Sequence, residues 1–554
     1  MNSVQSGEEA TQGSVDEPKT SGSGQTQGDS STEQVSVQDD QCMIRGRFAM
    51  IVIALMVVLA DVCLYHANGF AGPAAFFVGA AVLLIVAIPR RSSGGLSVLL
   101  VALLLLLLSV RLASNGGPMQ VVAGLCLLNA LVLSLRRQTP FVLESFVFAA
   151  QCIPGGYEFF SGINERFRQT VLDPADAGKL SRFLNVALPA LMAILFGGIF
   201  VMANPDMVAW VSAALGDFVT SVRHFLFQFS LFEVIFWTVT AWWTAGLLRP
   251  VVSSLVPESD RDSEPRGSVQ TPLFTAFRNT LVTVIGLFAI YLAFEFRTLW
   301  FREFPKGFHY SGYAHEGAAW LTVALGLATL TLSLIFRGLM LRDPRLLRLR
   351  RLAWIWSALN LVLALAVYNR LFIYIDYNGM TRMRTVGLLG ITSVVVGFVL
   401  VLFKINRQYR FLWLIRRQLW VLAAAVYLLL VLPVDVLIHR YNVQQILSGN
   451  PAPVVQITGH PVDNEALATL LPLCKASDER LRSGIQAMLS QRFDLLQREQ
   501  AENKAQGWTA WQKSLGDSRV SLLSEQSNWD TFPNSDERDA AFKRLSDDAF
   551  NNWW

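Results

Sequence analysis

Arg370, Tyr374, Asp376, Tyr377, Thr381 and Arg384 crowd into one short stretch of an otherwise apolar region. Arg370 and Tyr374 stand four residues apart, so on a helix they share a face. Asn378-Gly379 is a turn signal, because both residues tolerate a positive φ. The pattern predicts a polar hairpin at the outer ends of two membrane helices. A guanidinium grips a carboxylate or phosphate through two parallel hydrogen bonds, which makes the hairpin a candidate anion or lipid-headgroup site. The plainer reading is structural: Arg370 pairs with Asp376 or with a neighbouring acid and locks the loop.

A second polar cluster precedes it, with Arg297, Arg302, His309, His315 and Glu316 inside the stretch 295–316. His315-Glu316 opens like a zinc-protease helix, but no second His follows at the required spacing, so HExxH is absent. His309, His315 and Glu316 offer three ligands in principle. A Glu near the positive start of a helix explains Glu316 without a metal. Asp61 and Glu233 are different, because both fall inside runs that read as membrane spans. A carboxylate in hydrocarbon is costly, so each reads as a proton relay, an ion ligand or the partner of a basic group. Structural pairing is the alternative. The basic stretch RGLMLRDPRLLRLRRL at 337–352 fits anionic headgroups, or simply sets topology.

Much chemistry is excluded. Cys42, Cys63, Cys126, Cys152 and Cys474 form no CxxC pair, so a zinc knuckle or redox dithiol is not expected. No P-loop, dinucleotide fingerprint, GxSxG elbow or kinase motif is present. No cofactor is expected, no metal is assigned, and no catalytic residue is identified. A net charge of +4 over 554 residues does not suggest nucleic acid.

The elements that must position these residues are membrane helices. The chain is 53% hydrophobic and only 16% charged, as a hydrocarbon solvent demands. Runs of about 20 apolar residues occur at 47–66, 70–89, 96–113, 118–135, 183–203, 225–247, 277–296, 316–336, 352–372, 385–403 and 417–436. The stretches 140–153 and 206–222 are shorter or interrupted and read as interfacial or re-entrant. With the N-terminus inside, and leaving aside Lys19 of the tail and the C-terminal domain with its 12 Lys and Arg, the inner loops and helix flanks carry 25 Lys and Arg and the outer loops 8. That alternation supports eleven spans, a cytoplasmic N-terminus and an extracytoplasmic C-terminus.

The fold expected is therefore all-α: a polytopic bundle of about eleven transmembrane helices with a small soluble α-helical C-terminal domain. Residues 1–44 form an acidic Ser/Gly/Gln-rich tail expected to be disordered. Four helices follow over 45–136, then a cytoplasmic loop with an interfacial segment over 137–182. A seven-helix core spans 183–436, and the extracytoplasmic domain 437–554. In that domain Leu481, Ile485, Met488, Leu489 and Leu496 share one helical face. Trp508, Trp511, Trp529, Trp553 and Trp554 read as core, or as contacts with the membrane surface or a partner.

Four stretches carry a family resemblance: SRFLNVALPALMAILFGGIFVMANPD at 181–206, FRNTLVTVIGLFAIYLAFEF at 277–296, FHYSGYAHEGAAWLTVAL at 308–325 and ALNLVLALAVYNRLFIYIDYNGMTRMRTVGLLG at 358–390. Together they resemble bacterial multi-pass membrane proteins grouped as domain of unknown function 4173, with its sister 4153, over about 180–500. Arg370, Tyr374, Tyr377, Gly379, Thr381 and Arg384 match the family's signature. The resemblance implies the bacterial cytoplasmic (inner) membrane and no settled activity, and it supplies no catalytic residues. The function expected is a non-enzymatic scaffold, assembly or envelope-sensing protein in the lipid bilayer, with a protein partner on the C-terminal domain. The alternative is a secondary transporter or lipid-handling protein with a polar outer mouth around Arg370.

Overall fold

The computed structural model describes residues 48–88, 95–136, 138–172, 230–248, 270–297, 310–336, 340, 343–407 and 409–553. The tail 1–44, the span 183–203, the stretch 206–222, Arg302 and His309 lie outside the described residues. Every described element is helical.

In the membrane part, α1 runs Phe48–Tyr65 and ends in a π-helical turn, Asp61–Tyr65. It is followed by α2 (Ala71–Ala87), α3 (Gly95–Asn115), α4 (Pro118–Leu135), α5 (Val142–Leu172) and α6 (Leu231–Leu248). Then come α7 (Phe274–Glu295), α8 (Tyr310–Ile335), α9 (Leu346–Asn378), α10 (Arg382–Arg407) and α11 (Phe411–Val431). Among the described residues, seven of these are long and apolar enough to cross a membrane, and α2 and parts of α6 and α8 are shorter apolar helices. These ten coincide with ten of the eleven expected spans. The long run of leucines in α3 shows why such sequences pack. Val101, Leu105, Leu108 and Leu112 form one buried stripe at helical spacing, while Leu99, Leu103, Leu106 and Val110 stay exposed, the face that lipid covers.

Residues 142–172, read from sequence as part of a loop with an interfacial piece, form one helix that runs antiparallel along α6. Gly246 of α6 lies directly on the backbone of Cys152, where a side chain would collide. Small residues at such crossings let two backbones approach in lipid, where packing and hydrogen bonds replace the hydrophobic effect. The Trp242 indole donates to Ile153 O at 2.8 Å, just before Pro154.

Helices α1–α6 enclose one apolar core and α7–α11 two more. Helix α11 stitches the two groups together with polar side chains. Tyr427 donates to Leu104 O at 2.7 Å, and Leu430 O accepts from Gln120 Nε2 at 2.8 Å. Arg416 Nε meets Glu144 Oε1 at 2.6 Å. Each bond spares a polar group from meeting hydrocarbon alone.

The C-terminal region continues as α12 (Val434–Leu447), α13 (Val454–Gly459), a 3₁₀ segment (Asn464–Lys475), α14 (Glu479–Gln506), α15 (Lys513–Ser524), the short α16 (Gln526–Trp529) and α17 (Ser535–Trp553). It has its own core, and the five expected α14 residues are all buried in it. Asp478 caps α14 by accepting from Arg480 N and Leu481 N, two of the amides that a helix start leaves unpaired. Trp529 is buried and donates to Leu522 O at 2.9 Å, whereas Trp508 and Trp511 are exposed. Burial pushes the Cys474 thiol up to about 12, which keeps it an unreactive core residue.

Candidate functional site

The ends of the bundle differ in chemistry. At the domain end, α1, α3, α9 and α11 finish and the C-terminal domain sits on them. At the opposite end, two basic side chains cap helix C-termini. Arg136 Nη2 donates to Leu247 O and Leu248 O at 2.8 and 2.7 Å, and Lys404 Nζ to Phe336 O at 2.8 Å. A cation there meets the negative end of the helix dipole. Within the basic stretch, Arg345 is tied to Asp343, whose carboxyl that bond and the Thr271 donors hold well below the usual carboxylate range.

The predicted hairpin exists between α9 and α10, but its arginines are spoken for. Arg370 is 6% exposed and clasps Glu295, which is 1% exposed, through Nε–Oε1 at 2.6 Å and Nη2–Oε2 at 2.5 Å. Tyr291 also donates to Glu295 Oε2 at 2.9 Å. The partner is thus an acid at the end of α7, not Asp376, which is exposed and offers its backbone oxygen to Asn450. Arg384 is buried, lies 3.7 Å over the Tyr374 ring, and donates to Gly379 O. Thr381 Oγ1 caps α10 by accepting from Arg384 N at 3.2 Å. Tyr377 is exposed. A free guanidinium fork for a phosphate is therefore missing at Arg370 and Arg384.

Gly379 has φ +82°, and a Cβ there would stand 2.7 Å from Asn442 Oδ1. The fully buried Asn442 clamps the next residue, accepting from Met380 N at 2.6 Å and donating to Met380 O at 2.9 Å. Arg382 adds a fork to Asp435 and a bond to Asp463 Oδ2 at 2.6 Å. Burial and the neighbouring Asp435 charge raise the Asp463 carboxyl, while at Asp435 the upward push of burial is overcome by Arg382 together with Asp463 and His439, and the carboxyl is held low.

The same domain also grips the first helix group. Arg111 of α3 forms a fork with Glu465, with Nη2–Oε1 at 2.6 Å. Asn68 Nδ2 donates to Gln506 O at 3.1 Å, its amide reaches Thr509 Oγ1 at 3.3 Å, and Gly116 N reaches Gln512 Oε1 at 3.4 Å. Trp508 and Trp511 flank this contact. None of these ties was singled out from the sequence; single Asn, Glu and Thr residues in ordinary surroundings carry no periodic signal.

The two acids that fall inside runs read as spans, Asp61 and Glu233, converge although 172 positions separate them. Asp61 begins the π turn of α1 and Glu233 lies in the first turn of α6. His66 stands between them, with Nδ1 3.6 Å from Asp61 Oδ1 and Nε2 3.7 Å from Glu233 Oε1. Trp237 Nε1 donates to Asp61 Oδ1 at 2.7 Å. Sequence reasoning missed His66, which sits at the edge of its span. The other cluster is not assembled in the described part: Arg297 is exposed, and His315 and Glu316 fall on α8, which starts six residues before the expected span, with side chains outside the described residues.

Comparison with known proteins adds a family and no activity. No curated protein matches, and no solved structure does. The family model described as Domain of unknown function (DUF4153) matches residues 49–472. It is the sister family of the resemblance drawn from sequence, and the match reaches back through the first four helices, which that resemblance left out. The match spans most of the chain and takes in the Asp61–His66–Glu233 cluster, the Arg370 hairpin and the start of the C-terminal domain: this multi-pass membrane protein belongs to the DUF4153 family.

Proposed function

We propose that the chain is a non-enzymatic membrane scaffold whose C-terminal domain is held rigidly over the domain end of the bundle for a protein partner. The observation that carries this reading is the double attachment. Asn442 and the Arg382–Asp435 fork fix the domain to α9 and α10, while the Arg111–Glu465 fork and Asn68 fix it to α1–α3. A module bound at two separated places is ordered before any partner arrives, which lowers the entropic cost of association. Trp508 and Trp511 suit the headgroup layer, where an amphipathic ring has one apolar and one wet side. The excess of Lys and Arg in alternate segments supports an extracytoplasmic domain and a cytoplasmic N-terminus. The closed Arg370–Glu295 pair speaks against a polar mouth at that arginine.

Photo-crosslinkable residues at the exposed Val520 and Leu523, with lipid-facing Leu365 as control, test the reading. The expected result is one discrete protein adduct shared by the two domain positions. Lipid adducts alone at Val520 and Leu523, with solute uptake by vesicles that hold the pure protein, would remove the scaffold reading. Cysteine labelling of Ser524→Cys and Arg351→Cys in a Cys-free background tests the orientation. Ser524→Cys is expected to react from outside the cell and Arg351→Cys to be protected.

A further inference from the structure

Three side chains at the domain end have the composition of a cation site. Asp61, His66 and Glu233 each offer one ligand atom, and the three atoms lie within 4.8 Å of one another. The backbone brings the first two together: the His66 amide bonds Asp61 O, five residues back, at 3.0 Å and closes the π turn. Single π turns in α-helices recur at functional sites, because the extra residue re-aims the side chains around it. Tyr65 packs edge-on against the His66 ring at 5.0 Å and reaches Phe236 of α6 at 5.3 Å, which fixes α1 beside α6.

Among the described residues, His66 is the one basic side chain within 4 Å of either carboxylate. Glu233 is 5% exposed, and burial of a carboxyl is offset by hydrogen bonds or by a positive partner. Its Oε2 receives the Ser230 amide at 3.3 Å, but among the described residues no hydrogen bond reaches Oε1, the oxygen that faces His66. Asp61 is steadied from behind by Trp237, as ligands are commonly oriented by an outer hydrogen bond. His66 is 57% exposed, so its ring is accessible from outside the helix pair.

We propose that Asp61, His66 and Glu233 bind one divalent transition-metal ion, of which Zn²⁺ is the type, at the domain end of α1 and α6. Imidazole with two carboxylates is a borderline donor set that favours such ions over Mg²⁺ or Ca²⁺, which prefer oxygen alone. Bonds of roughly 2.0–2.2 Å put ligand atoms about 3.4 Å apart, so the three atoms, now within 4.8 Å of one another, must close in by up to about 1.4 Å, chiefly by movement of the exposed His66 side chain. The ion would join the first described helix to the first described helix beyond residue 230.

The test uses the full-length protein in lipid nanodiscs, stripped with chelator and titrated with Zn²⁺ alone by calorimetry, with metal counted by mass spectrometry. One equivalent is expected, bound unchanged in the presence of a hundredfold excess of Mg²⁺. His66→Ala and Glu233→Gln should each abolish that equivalent, Trp237→Phe should weaken it about tenfold, and His460→Ala should leave it intact. Glu233 is buried and its variant can fail to fold. The exposed His66 then decides the matter, with the melting temperature of His66→Ala as the check on folding. No Zn²⁺ bound by the natural protein, an equivalent that survives in a folded His66→Ala, or displacement by Mg²⁺ would each overturn the proposal.

Discussion

Arg370–Glu295 and Asp61–His66–Glu233 both place charge near the domain end of a membrane bundle, yet they are built on opposite principles. In the first, one guanidinium fork meets one carboxylate at 2.5 and 2.6 Å and both are sealed from solvent. Charge, shape and hydrogen bonds all balance. In the second, two acids face one imidazole at 3.6 and 3.7 Å, and the ring is open to solvent. A charge group that already closes on itself has a structural job. One left loose and unbalanced has room for something else.

The sharpest way to break that contrast is to remove one member of the closed pair. Glu295→Ala or Arg370→Ala leaves a buried ion alone and should cost about 3–5 kcal/mol, enough to abolish the monodisperse peak in fluorescence-detected gel filtration. The double change Arg370→Met with Glu295→Leu should recover most of the peak, because a well-packed apolar pair replaces a buried ion pair at little cost. If the single changes leave the peak intact, the pair is not structural.

Next in size is the hairpin clamp. Gly379→Ala puts a side chain at positive φ against Asn442, and about 1–3 kcal/mol is expected from strain of that kind. Asn442→Leu strands the Met380 amide and should cost a similar amount, about 1–3 kcal/mol. Thermal melting in detergent reads both.

A smaller effect follows from pH. Burial lowers the His439 imidazole from its ordinary 6.5, with Arg382 and His460 pushing the same way and Asp435 opposing. As pH falls through 6.5 the unfolded chain takes up a proton that the folded one resists. Stability is therefore present above 6.5 and lost below it, down to the depressed folded value. The melting temperature should drop between pH 7.5 and 5.5, and His439→Leu should flatten that slope. The smallest effect is at the open group. In chelator, His66→Ala should change stability by no more than about 0.5 kcal/mol, as surface substitutions do. A large loss there without metal would show that the open group is structural after all.

The sequence revealed the helices well, because a span announces itself as twenty apolar residues and its loops by their charge. It also pointed to the Arg370 hairpin and offered Asp376 or a neighbouring acid as its lock. It could not choose Glu295 over Asp376, since that depends on which helix ends meet. Asp61 and Glu233 stood out as acids in apolar runs. Their meeting with His66 did not, because no spacing rule links positions 61 and 233. Asn442 and Glu465 were invisible for the same reason: the signal is in the crossing of elements, and each residue alone is unremarkable polar surface.

The double attachment of the C-terminal domain has a mechanical consequence. Two helix groups in a fluid bilayer, joined along α11, would otherwise have more freedom to tilt against each other as thickness changes. Here Arg111 and Asn68 of one group and Met380 and Arg382 of the other are bolted to the same folded body. Lateral strain that separates the groups must bend that body or break a fork at one of its ends. The domain is therefore a crossbar across the bundle, and the load it bears is a property of the membrane around it.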